Sequence, residues 1–377
     1  MANDGMSAEK PRTRRDRAPA TAPSFWHPPE WIPHEATWLA WPPNGRDWGP
    51  KYEAVQWVFA EIVRHLAPEE KVRLIISGRH VEREARERLW WSDVSMEGVE
   101  FVPVPLDRCW LRDIGPIFGF DSAGRKTVLH FRFTAWGKYR RYSRDARLPL
   151  ALAQRGGWPL VRPKRRGRPI VLEGGAFDVN GAGAVLATEQ CLLDDSVQPR
   201  NPGWSRSDYE RMFAEWLGAP NVLWLGRGIA GDDDTHGHMD DVCRFVNERT
   251  VVLAQEPNPA DPNHATLAEN RERLEGARLA DGSRLEIVPL PMPAPLTFQG
   301  RRLPASYTNF YIGNRAVLVP TFNDPADRMA LGRLAELFPD RTVVGVHSAD
   351  LAVGLGALHC LMHEEPANGV AAGLFPR

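Results

Sequence analysis

Two hydrophobic rhythms take turns along the chain. Short apolar runs recur: ATWLAW (36–41), KVRLIIS (71–77), VEFVPV (99–104), KTVLHFRF (126–133), IVLEGG (170–175), GAVLATEQCLL (183–193) and NVLWLG (221–226). CRFVNERTVVLAQ (243–255), LEIVPLP (285–291), FYIGNRAVLVPTF (310–322) and TVVGVH (342–347) continue the series. Their length and their bounding by turn-forming residues predict strands. Between them, helical periodicity predicts helices near 52–66, 80–92, 207–217, 263–278 and 325–338. Strands and helices alternate to the end, so the class is mixed α/β. Units of about 50–65 residues recur roughly five times without visible sequence identity, so the repeat is one of architecture.

Composition narrows the picture. The chain has 377 residues, with 43% apolar, 25% charged and a formal net charge of −1. That balance gives no reason to expect nucleic acid or an anionic membrane as partner. No apolar run approaches the ~20 residues of a membrane span. Residues 1–24 are polar, basic and Pro/Ala-rich and read as a disordered leader. No linker interrupts 25–377, which reads as one domain. Four cysteines, at 109, 191, 243 and 360, are widely spaced. Free thiols without a disulfide framework fit a cytoplasmic protein. Two segments, GGWPLVRPKRRGRP (156–169) and QEPNPADPNHA (255–265), read as surface connections.

Polar residues gather where a core would exclude them. RCWLRDIGP holds Asp113 after Arg112, and LEGGAFDVNGAG places Glu173 against two glycines. GDDDTHGHMDD (231–241), SYTNFYIGN with Asn309, and GLGALHCLMHEEP around Cys360 complete the set. If GHMDDVCRF runs as a strand, alternation puts His238 and Asp240 on one face. Glycines before Cys360 leave room for a substrate beside a nucleophilic thiol. Clustered carboxylates repel unless a cation lies between them. A guanidinium is planar, permanently charged and matched to carboxylates. Cys360, His238, Asp113, Glu173 and Asp240 thus form a coherent set for guanidine chemistry.

The chain resembles the agmatine deiminase family, which is related to the bacterial peptidylarginine deiminases. PPEWIPHEATWLAWPPN, CWLRDIGP, LEGGAFDVNGAGAVLATEQCLL, DDTHGHMDDVCRFV, PASYTNFYIGNRAVLVPTF and GLGALHCLMHEEP carry the resemblance, in family order. It implies a pentein fold, a five-bladed α/β propeller with the site at its centre. It also implies hydrolytic deimination of a small guanidine, agmatine first, with peptidyl arginine or a specialised guanidine metabolite as the alternative, through a covalent Cys360 adduct. His238 would be general acid and then base. Asp113 and Asp240 would grip the guanidinium, and Glu173 would hold a guanidinium nitrogen and His238 in register. Trp110 would line the pocket, and Asp234 would meet the distal amine. Asn309, on its own residue pattern, is expected either at the substrate site, orienting a site residue, or simply satisfying backbone. The resemblance implies no metal or organic cofactor, and a homodimer.

The sequence departs from the family pattern at several places. Leu355 interrupts a run of glycines, Ala357 follows it, and Met362, His363, Glu364 and Glu365 stand after the cysteine block where Thr and Gln are usual. Blander readings apply elsewhere: Cys109, Cys191 and Cys243 as packed apolar residues, His359 as a structural hydrogen-bonding residue, and His236 as a loop residue. Three other classes remain open on the residues: a metal-dependent guanidine hydrolase built on His236–Asp240, an amidinotransferase, and a non-catalytic binding pentein.

Overall fold

The structure is a computed structural model and describes residues 23–371. The leader expected at 1–24 lies outside the described residues except for Pro23 and Ser24. Among the described residues no helix is long and apolar enough to cross a membrane.

Five sheets share one pattern: an antiparallel pair, then a helix, then a third strand parallel to the second. Phe177–Val179, Ala184–Thr188 and Asn221–Leu225 show it plainly, with helix Arg206–Leu217 making the crossover. Cys243–Phe245, Thr250–Gln255 and Glu286–Pro291 repeat it around helix Pro262–Leu274. So do Tyr311–Ile312, Ala316–Thr321 and Thr342–His347 around Ala326–Leu337. Ile117–Asp121, Lys126–Leu129 and Leu160–Val161 repeat it around Leu148–Gly156, with Phe25–Trp26 added at the edge. The fifth sheet joins the two ends of the chain. Met362–Pro366 pairs antiparallel with His34–Ala40, which runs parallel to Lys71–Ile76, and that strand to Val99–Pro103. Helices Tyr52–Leu66 and Arg79–Trp91 make its crossovers.

Local chemistry sets the element ends. Ser205 and Asp208 form a capping box at the start of Arg206–Leu217, and Gly218 ends it at φ +69°, where a side chain would be strained. Asp261 accepts from Asn263 N ahead of Pro262 at the first helical position. The second strands are apolar because both faces are covered, as in Ala184–Thr188, buried throughout.

The structure differs from the sequence reading at several runs, and KTVLHFRF is a strand only to Leu129. IVLEGG yields an isolated bridge at Val171, then a helical turn at Gly174–Ala176. GAVLATEQCLL is a strand only to Thr188; its hydroxyl caps helix Glu189–Leu193 by accepting from Cys191 N. GHMDDVCRF is not a strand until Cys243, because Met239–Asp241 forms a 3₁₀ turn. The Asp232 carboxylate accepts from the amides of Thr235, Gly237 and His238, which gives this backbone local partners in place of a ladder.

Glu30 ties separate sheets together in the interior. Its carboxylate takes Arg112 at 2.7 Å, His359 at 2.8 Å, Arg244 at 3.1 Å and the amide of Ile312 at 2.8 Å. Burial pushes this carboxyl up, but Arg244, His359 and Arg112 together hold it below the ordinary carboxylate range. Replacing Glu30 with Gln presents an amide N–H to a group of donors and leaves buried cations short of charge. Glu30→Gln is expected to cost about 3–5 kcal/mol in denaturant unfolding at pH 7. A depressed folded pKa gives stability that is present above the unfolded value near 4.5 and lost as pH falls below it. The difference between wild type and variant should therefore shrink below pH ~4.5, as read by melting temperature across pH.

Candidate active site

Each predicted catalytic residue occupies the same place in its unit, on a short helical turn just before the first strand. Asp113 lies in the turn Leu111–Ile114 ahead of Ile117–Asp121, and Glu173 directly precedes the turn Gly174–Ala176 ahead of Phe177–Val179. His238 and Asp240 lie at and within the turn Met239–Asp241 ahead of Cys243–Phe245. Cys360 lies in the turn Leu358–Leu361 ahead of Met362–Pro366, and Asn309 lies two residues before Tyr311–Ile312. Four helical turns and the segment that carries Asn309 thus bring together residues spread over most of the sequence.

Cys360 Sγ lies 3.5 Å from Asp240 Oδ2 and accepts from Asn309 Nδ2 at 3.2 Å. Asn309 also donates to Asp241 Oδ1, and its own Oδ1 accepts from the amides of His359 and Cys360. It therefore grips both the sulfur and the backbone that carries it. Trp110 is buried, and a methyl placed on Gly356 would lie 2.7 Å from its ring and 3.2 Å from Cys360 Cβ, so the indole lies beside Cys360.

His238 stands between two acids, with Nδ1 3.7 Å from Asp113 Oδ1 and Nε2 3.9 Å from Glu173 Oε2. These are ion-pair separations rather than hydrogen bonds, and both ring nitrogens and Asp240 Oδ1 are buried without a hydrogen-bond partner. Burial would lower the imidazole pKa, but Asp113, Cys191 and Glu173 outweigh it and hold His238 well above its ordinary range. Glu173 is fixed by Arg200 Nε at 3.2 Å to each oxygen, and Asp113 by Trp136 Nε1 at 2.8 Å and Gly175 N at 3.1 Å. Burial pushes the Cys360 thiol up, and Asp240, Asp241 and Asp113 push it the same way.

Asp234 belongs to a neighbouring group nearer the surface. Its carboxylate accepts from Lys138 Nζ at 2.7 Å and from Tyr139 OH at 2.7 Å. Asp47 joins it: one oxygen pairs with Arg108, the other accepts from Trp110 Nε1 at 3.1 Å, and burial and then Asp234 raise its pKa against Arg108. Sequence reasoning missed Asp47, Lys138 and Tyr139, which lie in segments without apolar period or family motif. It also left Asp241 and Arg200 unassigned; Asp241 stands beside Asp240 in GHMDD and was the nearest to being found.

His359 spans Asp240 at 2.7 Å and Glu30 at 2.8 Å, the structural role expected of it. His236 turns to Asp194 at 2.9 Å, so the His236–Asp240 stretch does not converge as ligands. Among the described residues the group with metal-ligand spacing is Glu173, Cys191 and His238. Arg200 on both Glu173 oxygens already places a cation there, which disfavours a second. Cys191 is core-packed as expected, yet its sulfur also flanks His238.

Residues 26–366 match the Porphyromonas-type peptidyl-arginine deiminase family. The chain belongs to that family. It is 33% identical to the agmatine deiminase of Pseudomonas aeruginosa, over 92% of this chain and 96% of that one. The structure is similar to an agmatine deiminase of C. jejuni with substrate bound (TM-score 0.81, 27% identity, 91% of this chain and 97% of that one). It is similar also to the agmatine deiminase of Enterococcus faecalis (TM-score 0.80, 27% identity, 92% and 96%). The mixed α/β fold is therefore that of the agmatine deiminases, a pentein fold.

Gly175 tests how tightly the groups converge. A methyl there would lie 2.6 Å from His238 Nδ1, 3.0 Å from Asp113 Oδ1 and 3.2 Å from Asp240 Oδ2. Gly175→Ala is expected to keep the far-UV spectrum of the wild type. Its kcat/KM for guanidine turnover should fall on the order of a hundredfold, as expected of a displacement of about 1 Å. Unchanged kinetics would show that the reacting groups do not meet at this point.

Proposed function

We propose that the chain hydrolyses agmatine to N-carbamoylputrescine and ammonia, with Cys360 as nucleophile. The observation that carries this reading is the charge around the sulfur. Asp113, Asp240 and Asp241 crowd a buried thiol, and Asp241 is held by an amide rather than by a cation. A guanidinium between Asp113 and Asp240 offsets the charges that keep the thiol protonated, so substrate binding itself favours the thiolate. The relatives named agmatine deiminase support the choice of guanidine. Cys360 is only 6% exposed, which suits a small free guanidine better than an arginine within a peptide chain.

The thiolate attacks the guanidinium carbon and forms an S–C bond. His238, held protonated by its acidic neighbours, gives its proton to a departing nitrogen, and the C–N bond breaks with release of ammonia. The S-linked thiouronium then takes water. Neutral His238 accepts a proton from that water, the C–S bond breaks, and the sulfur leaves as thiolate. Glu173, fixed by Arg200, orients the imidazole. Asn309 holds the sulfur rather than the substrate. We further propose that the five sheets close as a five-bladed propeller, supported by the pairing of Met362–Pro366 with His34–Ala40 and by the equivalent placement of the catalytic turns. A homodimer in the cytoplasm is the proposed setting, on family resemblance and four free cysteines.

Purified protein should release ammonia and N-carbamoylputrescine from agmatine and act poorly on arginyl peptides. Cys360→Ser should bind agmatine and lose nearly all turnover, since a hydroxyl lacks thiolate character. Substantial turnover by this variant, or a clear preference for peptides, would overturn the reading.

The distal end of the substrate gives a second prediction. Asp234 is already paired with Lys138, so a substrate ammonium must displace that side chain. Lys138→Met should lower KM for agmatine a few-fold, as removal of a half-exposed pair would allow. Asp234→Asn should raise KM by about 1–3 kcal/mol equivalent. Neither should alter KM for a short alkylguanidine that carries no distal amine. A rise in KM with Lys138→Met would mean that Lys138 positions Asp234 instead of competing for it.

A further inference from the structure

A concave site lies apart from Cys360, with Phe133 in its wall. It has a volume of about 820 Å³, and its wall includes Arg132, Arg140, Arg147, Arg162, His130 and Tyr142. The four arginines are exposed and come from three chain segments: the bridge at Arg132, the loop and turn around Arg140 and Arg147, and the basic connection that holds Arg162. Among the described residues, none of the four forms a salt bridge. Neighbours in the same segments do, Arg144 with Asp107 and Arg165 with Asp208. The acid within this stretch, Asp145, spends one oxygen on the amides of Asp107 and Arg108.

Four like charges around one concavity repel, and among the described residues no carboxylate lines it. Arg147 is also oriented, its Nε donating to Ser143 O at 2.9 Å. His130 bonds Ala146 O through Nε2 at 3.1 Å and leaves Nδ1 buried without a partner. Guanidinium forks match phosphate oxygens two at a time. We propose that this pocket binds a small polyanion carrying two or more phosphate groups. A single carboxylate would leave most of the positive charge unmatched. The volume falls in the range of small-ligand sites, ~300–1,000 Å³, and exceeds what a bare phosphate chain fills. Phe133 and Tyr142 line the remainder and offer aromatic surface to an organic portion of the ligand. The proposal does not rest on the deiminase reading, because no residue of the arginine set belongs to that site.

The test uses the full chain and two probes, inorganic tripolyphosphate and ATP, by calorimetry at low and physiological salt. Both should bind saturably at one site and compete, and adenosine should not bind. Tighter binding of ATP would assign the aromatic wall to the organic portion; equal affinity would assign a phosphate chain alone. The double variant Arg140→Ser/Arg147→Ser should lose at least tenfold in affinity for both probes and keep agmatine turnover within about twofold. Arg328→Ser, on an exposed face of the distant helix Ala326–Leu337, should bind as wild type does. In the wild type, tripolyphosphate should protect these arginines from phenylglyoxal, read by peptide mass mapping. Absence of saturable binding, equal loss in the Arg328 variant, or no protection of Arg140 and Arg147 would overturn the proposal. So would a dimer that the double variant dissociates and tripolyphosphate does not touch, which would make the arginines an interface between copies.

Discussion

One buried carboxylate organises this molecule. Glu30 lies on an irregular segment near the start of the chain, yet it bonds Arg112, Arg244, His359 and the amide of Ile312, which belong to four different units. Each of these leads on to the site. Arg112 directly precedes Asp113, His359 precedes Cys360 and holds Asp240, and Ile312 begins just after the Asn309 segment. Placing a charge in the interior costs several kcal/mol, and the cost is offset only when the geometry satisfies its lone pairs. Four donors from four units do so here. The turns that carry Asp113, Asp240 and Cys360 are therefore held in mutual register by a shared electrostatic partner as well as by their strands.

The interior divides into two electrostatic layers. In the supporting layer charges are matched: Glu364 with Arg112, Glu365 with Lys126 and Arg73, and Glu173 with Arg200. Around Cys360 the match is looser: Asp113 stands 3.7 Å from His238, Asp240 accepts from His359, and Asp241 is held by the Asn309 amide, its carboxyl pushed up by burial and by Asp240 and Asp232. The first layer makes the second tolerable, since it fixes carboxylates that would otherwise relax away from one another. The same contrast separates stabilising ion pairs from a substrate site: a pair that is complete binds nothing further, and an incomplete one awaits a cation. Asp234, already paired with Lys138, falls between the two cases.

The alternating class and most long elements were legible because their periodicity is strong. Helices Tyr52–Leu66, Arg79–Trp91 and Arg206–Leu217 lie within a residue of their predicted bounds. The strand Met362–Pro366 was not legible. Its His-Glu-Glu centre reads as surface, but it is wholly buried, because Arg112, Arg73 and Lys126 reach it from other elements. No local pattern announces partners so far away in the chain. His238 and Asp240 do come together, but on another backbone than the strand argued for them: Asp232 draws that stretch into a 3₁₀ turn. Asp113, Glu173, His238, Asp240 and Cys360 could be named from residue type and motif, whereas Glu30, Arg200 and Asp47 act through contacts that only the fold creates.

The glycines ahead of Cys360 show how such a site tolerates change. A methyl on Gly354 would lie 2.5 Å from Trp48 Nε1 and 2.9 Å from Trp110, and one on Gly356 would strike Trp110 at 2.7 Å. These two positions need hydrogen for space, because the indoles of Trp48 and Trp110 fill what a side chain would occupy. Leu355 between them has φ +71°, so what its position demands is a left-handed backbone. An L-residue meets that demand at about 1–2 kcal/mol. The Leu355 side chain recovers part of it by packing against the cluster that contains Phe310 and Ala352. A steric requirement cannot be offset elsewhere in the fold, whereas a conformational one can be. The run of small residues can therefore lose its middle glycine while the walls around Cys360 stay in place.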